Sequence, residues 1–307
     1  LAQTMDTSDE WIRSHTGIGN RHIADESEAS SDLGVKASTM ALERAGLDPG
    51  DVDMIICSTA SPDYPGFPAT ASIIEDKLGA HDAGAFDILA GCTGFVYGLE
   101  LARSLIISGA YRNILVVAAE ELSKITNWQD RRTCVLFGDG AGAVVVQANP
   151  QGGDRGILNS ILRSKGSGAE ALIRPAGGTK NPYKPGETPP EDLLIQMDGR
   201  AVYNFAVKAN TEILEQLVTN AGHSLDDVSY VVPHQANSRI IEAAAKRLKV
   251  PFEKFYVNIE EYANTSTASI PIALNEMYEK GLLHKGDLIL TVGFGAGLTS
   301  GGTLIRW

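Results

Sequence analysis

The stretch Ala45-Gly46-Leu47-Asp48-Pro49-Gly50-Asp51-Val52, followed by the apolar residues 54–57, decides the fold because the chain contains it twice. The second copy is Ala221-Gly222-His223-Ser224-Leu225-Asp226-Asp227-Val228, followed by residues 230–233, at an offset of 221 − 45 = 176. Each copy is typical of a helix end, a glycine stop, a short loop and a buried strand. The sequence therefore predicts an internal duplication.

The similarity between the two copies continues along the chain. In the first copy we predict a strand at 85–88, a turn at Gly91-Cys92, a helix ending at Gly109 and a strand at 113–118. The matching features of the second copy are a strand at 255–258, a turn near Asn264, a helix ending at Gly281 and a strand at 287–292. Both copies close with a glycine-rich loop and a β-rich segment, 137–147 and 294–305. Alternating strands and helices predict parallel strand pairs with helices packed on the sheet faces.

We expect two similar α/β halves, residues 1–155 and 156–307. The second half carries the segment 167–190, whose Gly, Pro, Lys and Asn content predicts a surface loop or a cap over a site. The sequence begins at Leu1, and we expect the first strand of the first half to be missing.

Composition excludes several classes of protein. The 307 residues carry a net charge of −12, with 43% hydrophobic and 21% charged residues, so we expect a globular protein that does not bind nucleic acid. No apolar run approaches the ~18 residues of a membrane span, and the first residues do not resemble a signal peptide. We therefore expect a cytoplasmic protein without a membrane contact. The three cysteines are few, distant and odd in number, which argues against disulfides and a metal site.

Cys92 occupies a position suited to a nucleophile, directly after an apolar strand and at the start of a helix. Backbone N–H groups and the helix dipole there would favour the thiolate and lower the thiol pKa from ~8.5. The alternative is a buried structural cysteine, the common fate of this residue type. For Cys57 and Cys134, which lie in or beside apolar runs, we expect the structural role.

Two polar residues occupy comparable turns in the second half. His234 ends the predicted strand 228–233 and opens a predicted helix 235–248, although a lone histidine is often structural. Asn264 precedes the predicted helix 268–281 and could equally be a helix cap or an Asx-turn residue. A nucleophile, an imidazole and an amide, with backbone N–H groups of the loop 294–297, suit acyl chemistry. Papain-like hydrolases use the same order of residues, but their sequence signature around the cysteine is absent here.

The chain resembles the thiolase-fold condensing enzymes, most closely the β-ketoacyl-acyl-carrier-protein synthase III family. The residues that carry this resemblance are Thr7-Ser8-Asp9-Glu10-Trp11-Ile12, Gly91-Cys92-Thr93-Gly94-Phe95, Phe137-Gly138-Asp139-Gly140-Ala141-Gly142-Ala143, Pro233-His234-Gln235-Ala236-Asn237, Asn264-Thr265-Ser266 and Gly293-Phe294-Gly295-Ala296-Gly297. The resemblance implies an internally duplicated, five-layered αβαβα fold with two mixed sheets.

The resemblance also implies the reaction that initiates type II fatty-acid synthesis. A short acyl group moves from acyl-coenzyme A to Cys92 and then condenses with malonyl-acyl-carrier-protein, giving 3-oxoacyl-acyl-carrier-protein, coenzyme A and carbon dioxide. The backbone N–H groups of Cys92 and Ala296 would form the oxyanion hole, and His234 and Asn264 would stabilise the enolate. No cofactor is implied beyond these substrates. Alternatives are a chalcone-synthase-like polyketide synthase, a cysteine hydrolase with a Cys-His-Asn set, and a catalytically silent binder.

Further residues acquire roles only through the resemblance. Adenine of coenzyme A would stack between Trp11 and Arg131, and Asn237 would line the pantetheine tunnel. Phe67 would enter the acyl pocket of a partner subunit, which implies a homodimer. The acidic carrier protein would meet a basic patch on this acidic chain, formed by Arg239, Lys246 and Arg247. The chain departs from the family pattern at His15, where an arginine is common, and at Asn204, for which Lys208 could substitute.

Overall fold

The computed structural model describes residues 1–149 and 152–307, in which the first sheet has the strand order β2-β1-β3-β4. Strand β1 pairs in parallel with β2 and β3, and β4 is antiparallel to β3. The bounds of these strands are β1 (Met54–Ser58), β2 (Gly84–Ile88), β3 (Asn113–Glu120) and β4 (Gly140–Gln147).

The second sheet has the order β5-β10-β9-β8. Strand β8 is parallel to β9, and β10 is antiparallel to both of its neighbours, so this sheet is also mixed. A short antiparallel pair, β6 and β7, lies apart from it. The bounds are β5 (Gly156–Ser164), β6 (Leu172–Ile173), β7 (Gln196–Met197), β8 (Tyr230–Pro233), β9 (Leu288–Gly295) and β10 (Thr299–Arg306).

Helices on and between the two sheets complete five layers. Helices α2 and α3 cover the outer face of the first sheet, α4 and α9 lie between the sheets, and α6 with α7 covers the second sheet. This arrangement confirms the expected αβαβα fold. The helices are α1 (Asp9–Thr16), α2 (Ser30–Ala45), α3 (Thr70–Leu78), α4 (Gly94–Ile107), α5 (Arg131–Cys134), α6 (Gly199–Asn220), α7 (Ser238–Leu248), α8 (Ile259–Tyr262) and α9 (Ser269–Glu279).

The apolar run of β3 explains why this strand lies at the centre of the layers. Ile114, Val116 and Ala118 point into the core shared with α4 and α9. Leu115 and Val117 alternate with them and pack into the core beneath α2 and α3. A strand that is buried on both faces has a continuous rather than an alternating apolar sequence.

The structure corrects two predicted elements of the second half. Residues 255–258 do not form a strand: Phe255 makes one isolated parallel bridge with Val231. The helix after His234 begins at Ser238 rather than at residue 235, because the Asn237 side chain accepts a hydrogen bond from Arg239 N and caps it there.

The predicted glycine stops are correct, since Gly46 and Gly222 have φ values of 65° and 73°. No helix within residues 1–149 and 152–307 is long and apolar enough to cross a membrane.

Candidate active site

Cys92 and Ala296 are brought together by two turns whose backbones touch. A Cβ atom on Gly91, which has a φ of +52°, would lie 2.7 Å from Ala296 N. A Cβ atom on Gly295 would lie 2.4 Å from Cys92 N. Only glycine permits such an approach. Among the described residues, Ala296 N–H donates to no backbone carbonyl, so it is available to a ligand.

Cys92 lines a mostly apolar cavity of about 180 Å³. Ser266 and Ala296 line this cavity beside the cysteine. Residues 172–174 of the segment 167–190 form part of the wall. The other lining residues are Ala60, Gly91, Leu122, Ile125, Phe137, Leu172, Ile173, Arg174 and Ile195. The size and character of this cavity suit a short hydrocarbon chain.

The Cys92 side chain is buried, and its sulfur accepts a hydrogen bond of 3.2 Å from Ser266 Oγ. Burial raises the pKa of the Cys92 thiol to about 12, and the Ser266 hydrogen bond offsets only part of this effect. The prediction of a lowered pKa is therefore wrong. Desolvation outweighs the position at the start of α4, so the thiol of the free protein keeps its proton at neutral pH.

His234 follows β8 and is held by Ser269, the first residue of α9. Its Nδ1 atom lies 2.7 Å from Ser269 Oγ, which also accepts a 3.2 Å hydrogen bond from Gln235 N. We infer that the serine hydroxyl donates its one proton to Nδ1, which assigns the tautomer that carries the imidazole proton on Nε2. Burial lowers the pKa of His234 to about 3, so the imidazole is neutral at physiological pH. His234 is therefore a neutral hydrogen-bond donor.

Asn264 forms an Asx turn, one of the two predicted structural roles. Its Oδ1 atom accepts a 2.9 Å hydrogen bond from Ser266 N. The Asn264 backbone forms a parallel bridge with Phe137, through Gly138 N–H and Leu136 O. Since the turn uses Oδ1, the amide presents Nδ2 as its donor end. The structural and the functional interpretation are therefore compatible.

Ser266 and Glu120 are site features that sequence reasoning missed. Ser266 has a φ of +50°, which is uncommon for a residue other than glycine and often marks a functional site. Glu120 ends β3 and is fully buried. The sequence signals for both were weak. Ser266 lies within the motif that was assigned to Asn264, and Glu120 is a single acidic residue at the end of an apolar run.

The residues predicted for coenzyme A binding form a second group near α1. The Arg131 guanidinium lies over the Trp11 ring at 4.9 Å, and the His15 ring stacks on Trp11 at 4.3 Å. Asn237 Nδ2 donates to His15 O over 3.2 Å. Arg239 Nη2 donates to Ser14 O over 3.0 Å, so these contacts tie α1 to the start of α7.

The remaining predicted residues lie at the surface. Arg239, Lys246 and Arg247 are exposed on α7, and none of them forms an ion pair within the described part of the chain. Asn204 and Lys208 are exposed on α6, where Lys208 Nζ lies 3.8 Å from Glu212. Phe67 does not line the cavity of its own chain, and 88% of it is exposed.

The duplicated five-layered fold is that of the thiolase-fold condensing enzymes. Residues 86–166 match the family model described as 3-oxoacyl-acyl-carrier-protein (ACP) synthase III, and residues 218–307 match its C-terminal model. The chain belongs to the β-ketoacyl-acyl-carrier-protein synthase III family.

Similar curated proteins and solved structures carry that family's name. A β-ketoacyl-acyl-carrier-protein synthase III of Caldanaerobacter subterraneus is 52% identical over 100% of this chain and 92% of its own. The crystal structure of the Aquifex aeolicus synthase III is 43% identical with a TM-score of 0.91, covering 100% of this chain and 93% of its own. The Thermus thermophilus structure is 42% identical, with the same TM-score of 0.91 and the same coverage of 100% and 93%.

The hydrogen bond from Ser269 predicts how His234 titrates. We expect ¹⁵N NMR of histidine-labelled protein to show a neutral imidazole with its proton on Nε2 down to about pH 5, because protonation would place a charge in a desolvated position. In Ser269→Ala the tautomer should become mixed. An imidazolium signal from His234 at pH 6 in the folded protein would contradict this assignment.

Proposed function

We propose that this chain transfers a short acyl group from acyl-coenzyme A to Cys92 and condenses it with malonyl-acyl-carrier-protein, the first condensation of type II fatty-acid synthesis. The observation that carries this proposal is one cavity, which is lined by Cys92, Ser266 and Ala296 and otherwise mainly by apolar side chains. Family membership supports the same reaction.

In the first step, the Cys92 thiolate attacks the thioester carbonyl carbon and expels the coenzyme A thiolate. The carbonyl oxygen becomes negative in the tetrahedral intermediate. The backbone N–H groups of Cys92 and Ala296 are the donors that we propose for it, because the two turns bring them side by side. Removing one such donor typically costs about 3 kcal/mol of transition-state stabilisation.

In the second step, malonyl thioester loses carbon dioxide and its thioester oxygen becomes an enolate. We propose that Nε2–H of His234 and Nδ2–H of Asn264 donate to that oxygen. A neutral imidazole suits this role, since it donates a hydrogen bond to the enolate oxygen without transferring a proton to the enolate. The enolate carbon then attacks the acyl carbonyl, and Cys92 leaves as a thiolate. No further cofactor takes part in this proposal.

The competing functions predict other products. A cysteine hydrolase would release free acid, and a silent binder would form no adduct. A chalcone-synthase-like enzyme would extend a coenzyme A-bound chain rather than one on the carrier protein. The relatives named above support the synthase III reaction instead. We also propose that the protein works in the cytoplasm, where these soluble substrates occur.

Intact-protein mass after a brief incubation with acetyl- or isobutyryl-coenzyme A tests the reaction. We expect an acyl adduct on the unmodified chain and none on Cys92→Ala. Adding malonyl-acyl-carrier-protein should discharge the adduct as 3-oxoacyl-carrier protein. His234→Ala and Asn264→Ala should still be acylated, but should condense about a hundredfold or more slowly. Release of free acid alone would favour the hydrolase.

We propose that the carrier protein docks on α7. Arg239, Lys246 and Arg247 form an exposed basic surface on a chain whose net charge is −12, and they have no acidic partner among the described residues. Such a local patch attracts an acidic partner that the rest of the chain repels.

Charge reversal tests this docking surface. The double variant Lys246→Glu and Arg247→Glu should raise the KM for malonyl-acyl-carrier-protein about tenfold or more at low salt. Acylation by acetyl-coenzyme A should not change. Lys285→Glu is the matched control, because Lys285 is exposed before β9, away from the carboxyl end that leads to Ala296. An equal effect of Lys285→Glu would mean that only the overall charge matters.

We also propose a homodimer formed around β2, the edge strand of the first sheet. Phe67 and Leu89 are 88% and 83% exposed. Phe67 lies shortly before α3, and Leu89 directly follows β2. The link between them is Asp87 of β2, whose carboxylate accepts hydrogen bonds of 2.7 and 2.8 Å from Thr70 N and Ala71 N at the start of α3. A free strand edge with large exposed apolar side chains is typical of a protein interface.

Light scattering coupled to size-exclusion chromatography measures this assembly. The unmodified protein should have about twice the chain mass. The double variant Phe67→Asp and Leu89→Asp should shift toward the chain mass, because burying carboxylates opposite their own copies is unfavourable. Met40→Asp, at an apolar position on α2 that is 45% exposed, should leave the mass unchanged. A monomeric unmodified protein would contradict the proposal.

A further inference from the structure

The segment after α1 lies between two parts of the molecule that lead to the candidate site. On one side, Asn20 N donates to Glu260 O of α8 at 2.7 Å. On the other side, His22 O accepts a hydrogen bond of 2.8 Å from Asp139 N, at the approach to β4. The backbone on both sides of Arg21 is therefore fixed.

The Arg21 guanidinium binds the turn that follows α5. Its Nη1 atom donates to Cys134 O at 2.7 Å and to Phe137 O at 3.2 Å, and Nη2 donates to Val135 O at 3.0 Å. Within the described ranges, none of these carbonyls accepts a backbone N–H from a turn or loop. The end of a helix leaves carbonyl groups without intrahelical donors, and arginine supplies several donors in one plane. Arg21 therefore supplies donors that this turn lacks.

The contact between Arg21 and this turn is close, and it involves no carboxylate. Arg21 is half-buried, and its hydrogen bonds in the described part of the chain all go to backbone carbonyls. A Cβ atom on Gly138 would lie 3.2 Å from Arg21 Cβ, so the stem of the arginine also packs against the turn. Hydrogen bonds from a charged donor are about twice as strong as those between neutral groups. The guanidinium thus holds the turn firmly.

The same turn holds the backbone of Asn264. Gly138 N donates to Asn264 O at 3.1 Å, and Asn264 N donates to Leu136 O at 3.0 Å. Both polar groups of the Asn264 backbone are thus bound to the turn. The side chain adds the hydrogen bond that its Oδ1 atom accepts from Ser266 N. The position of the Nδ2 donor therefore depends on a turn that Arg21 binds.

We propose that Arg21 is a positioning residue for the condensation step. Its guanidinium fixes the turn 134–138, and this turn fixes the Asn264 amide at the place where the enolate oxygen forms. Cys92 and Ala296 lie on other turns, which Arg21 does not bind. Acyl transfer to Cys92 therefore does not require the guanidinium, whereas condensation does. This inference rests on the proposed role of Asn264 in condensation.

Separate measurement of the two half-reactions tests this role. In Arg21→Met, the rate of Cys92 acylation at saturating acetyl-coenzyme A should stay within about twofold of the unmodified rate. Saturation is needed because α5 also carries Arg131. Condensation with malonyl-acyl-carrier-protein should be about tenfold slower or more, since a donor displaced by about 1 Å stabilises the enolate poorly. Rapid-quench mass spectrometry measures both rates on the same protein.

A double-variant cycle shows whether Arg21 acts through Asn264. In the Asn264→Ala background, Arg21→Met should slow condensation by less than about twofold, because the amide that it positions is already absent. A general loss of folding would instead multiply the two effects. Arg21→Lys keeps the charge but loses the planar set of donors. It should show the same separation of the half-reactions, with a smaller loss of condensation.

Lys254→Met is the matched control, because Lys254 Nζ also donates to two backbone carbonyls, Leu225 O at 3.3 Å and Asp226 O at 3.0 Å. These residues do not line the cavity. Lys254→Met should lower the melting temperature and leave both half-reactions unchanged.

Three outcomes would overturn the role of Arg21. In the first, the folded Arg21 variants condense at the unmodified rate. In the second, they slow acylation as much as condensation. In the third, the effects of Arg21→Met and Asn264→Ala multiply.

The proposed function is tested by the unmodified protein alone. If that protein forms no 3-oxoacyl product, the condensation assignment is wrong and the role of Arg21 falls with it. If the unmodified protein, Lys254→Met and Arg21→Met all form the product at equal rates, condensation stands and only the role of Arg21 is wrong.

Discussion

The hydrogen bonds of Thr267 between the starts of α4 and α9 hold the candidate site together. Thr267 Oγ1 accepts from Phe95 N at 2.8 Å and donates to Ser58 Oγ at 3.0 Å. The two helices lie in the middle layer and share one apolar core, which includes Phe95 and Ile270. Since Cys92 and Asn264 precede these helices, their placement follows from this packing. Without the packing of α4 against α9, nothing would hold the turn that carries Cys92 next to the turn that carries Asn264.

Burial gives the site its electrostatic character. It moves the pKa of Cys92 up to about 12 and that of His234 down to about 3, so both side chains are neutral before reaction. Charge arises only during the chemistry, on a thiolate, an oxyanion and an enolate. In a dry cavity, donors that are fixed in advance stabilise such charges more than water would. The glycine contacts at Gly91 and Gly295 fix the backbone donors in this way.

Much of this fold could be predicted from the chain itself, because repeats and strand-end turns are local patterns. The duplication, the glycine stops and the turn positions of Cys92 and Asn264 depend on such patterns. The predicted strand at 255–258 was wrong, since a single bridge to Val231 depends on tertiary packing. The Cys92 pKa was also mispredicted, because the helix dipole is visible in a sequence and desolvation is not. The contact between Ser266 and the Cys92 sulfur could not be predicted because the two residues are 174 positions apart in the chain.

The duplication has a further consequence for how this molecule can change. One copy of the ancestral unit supplies the sulfur and the other supplies the imidazole and the amide, although both use the same kind of turn. Reactivity therefore depends on the interface between the two copies, because neither copy alone supplies all three groups. A substitution in the middle layer, for example at Phe95 or Ile270, can shift one copy against the other and alter the chemistry without contacting a substrate.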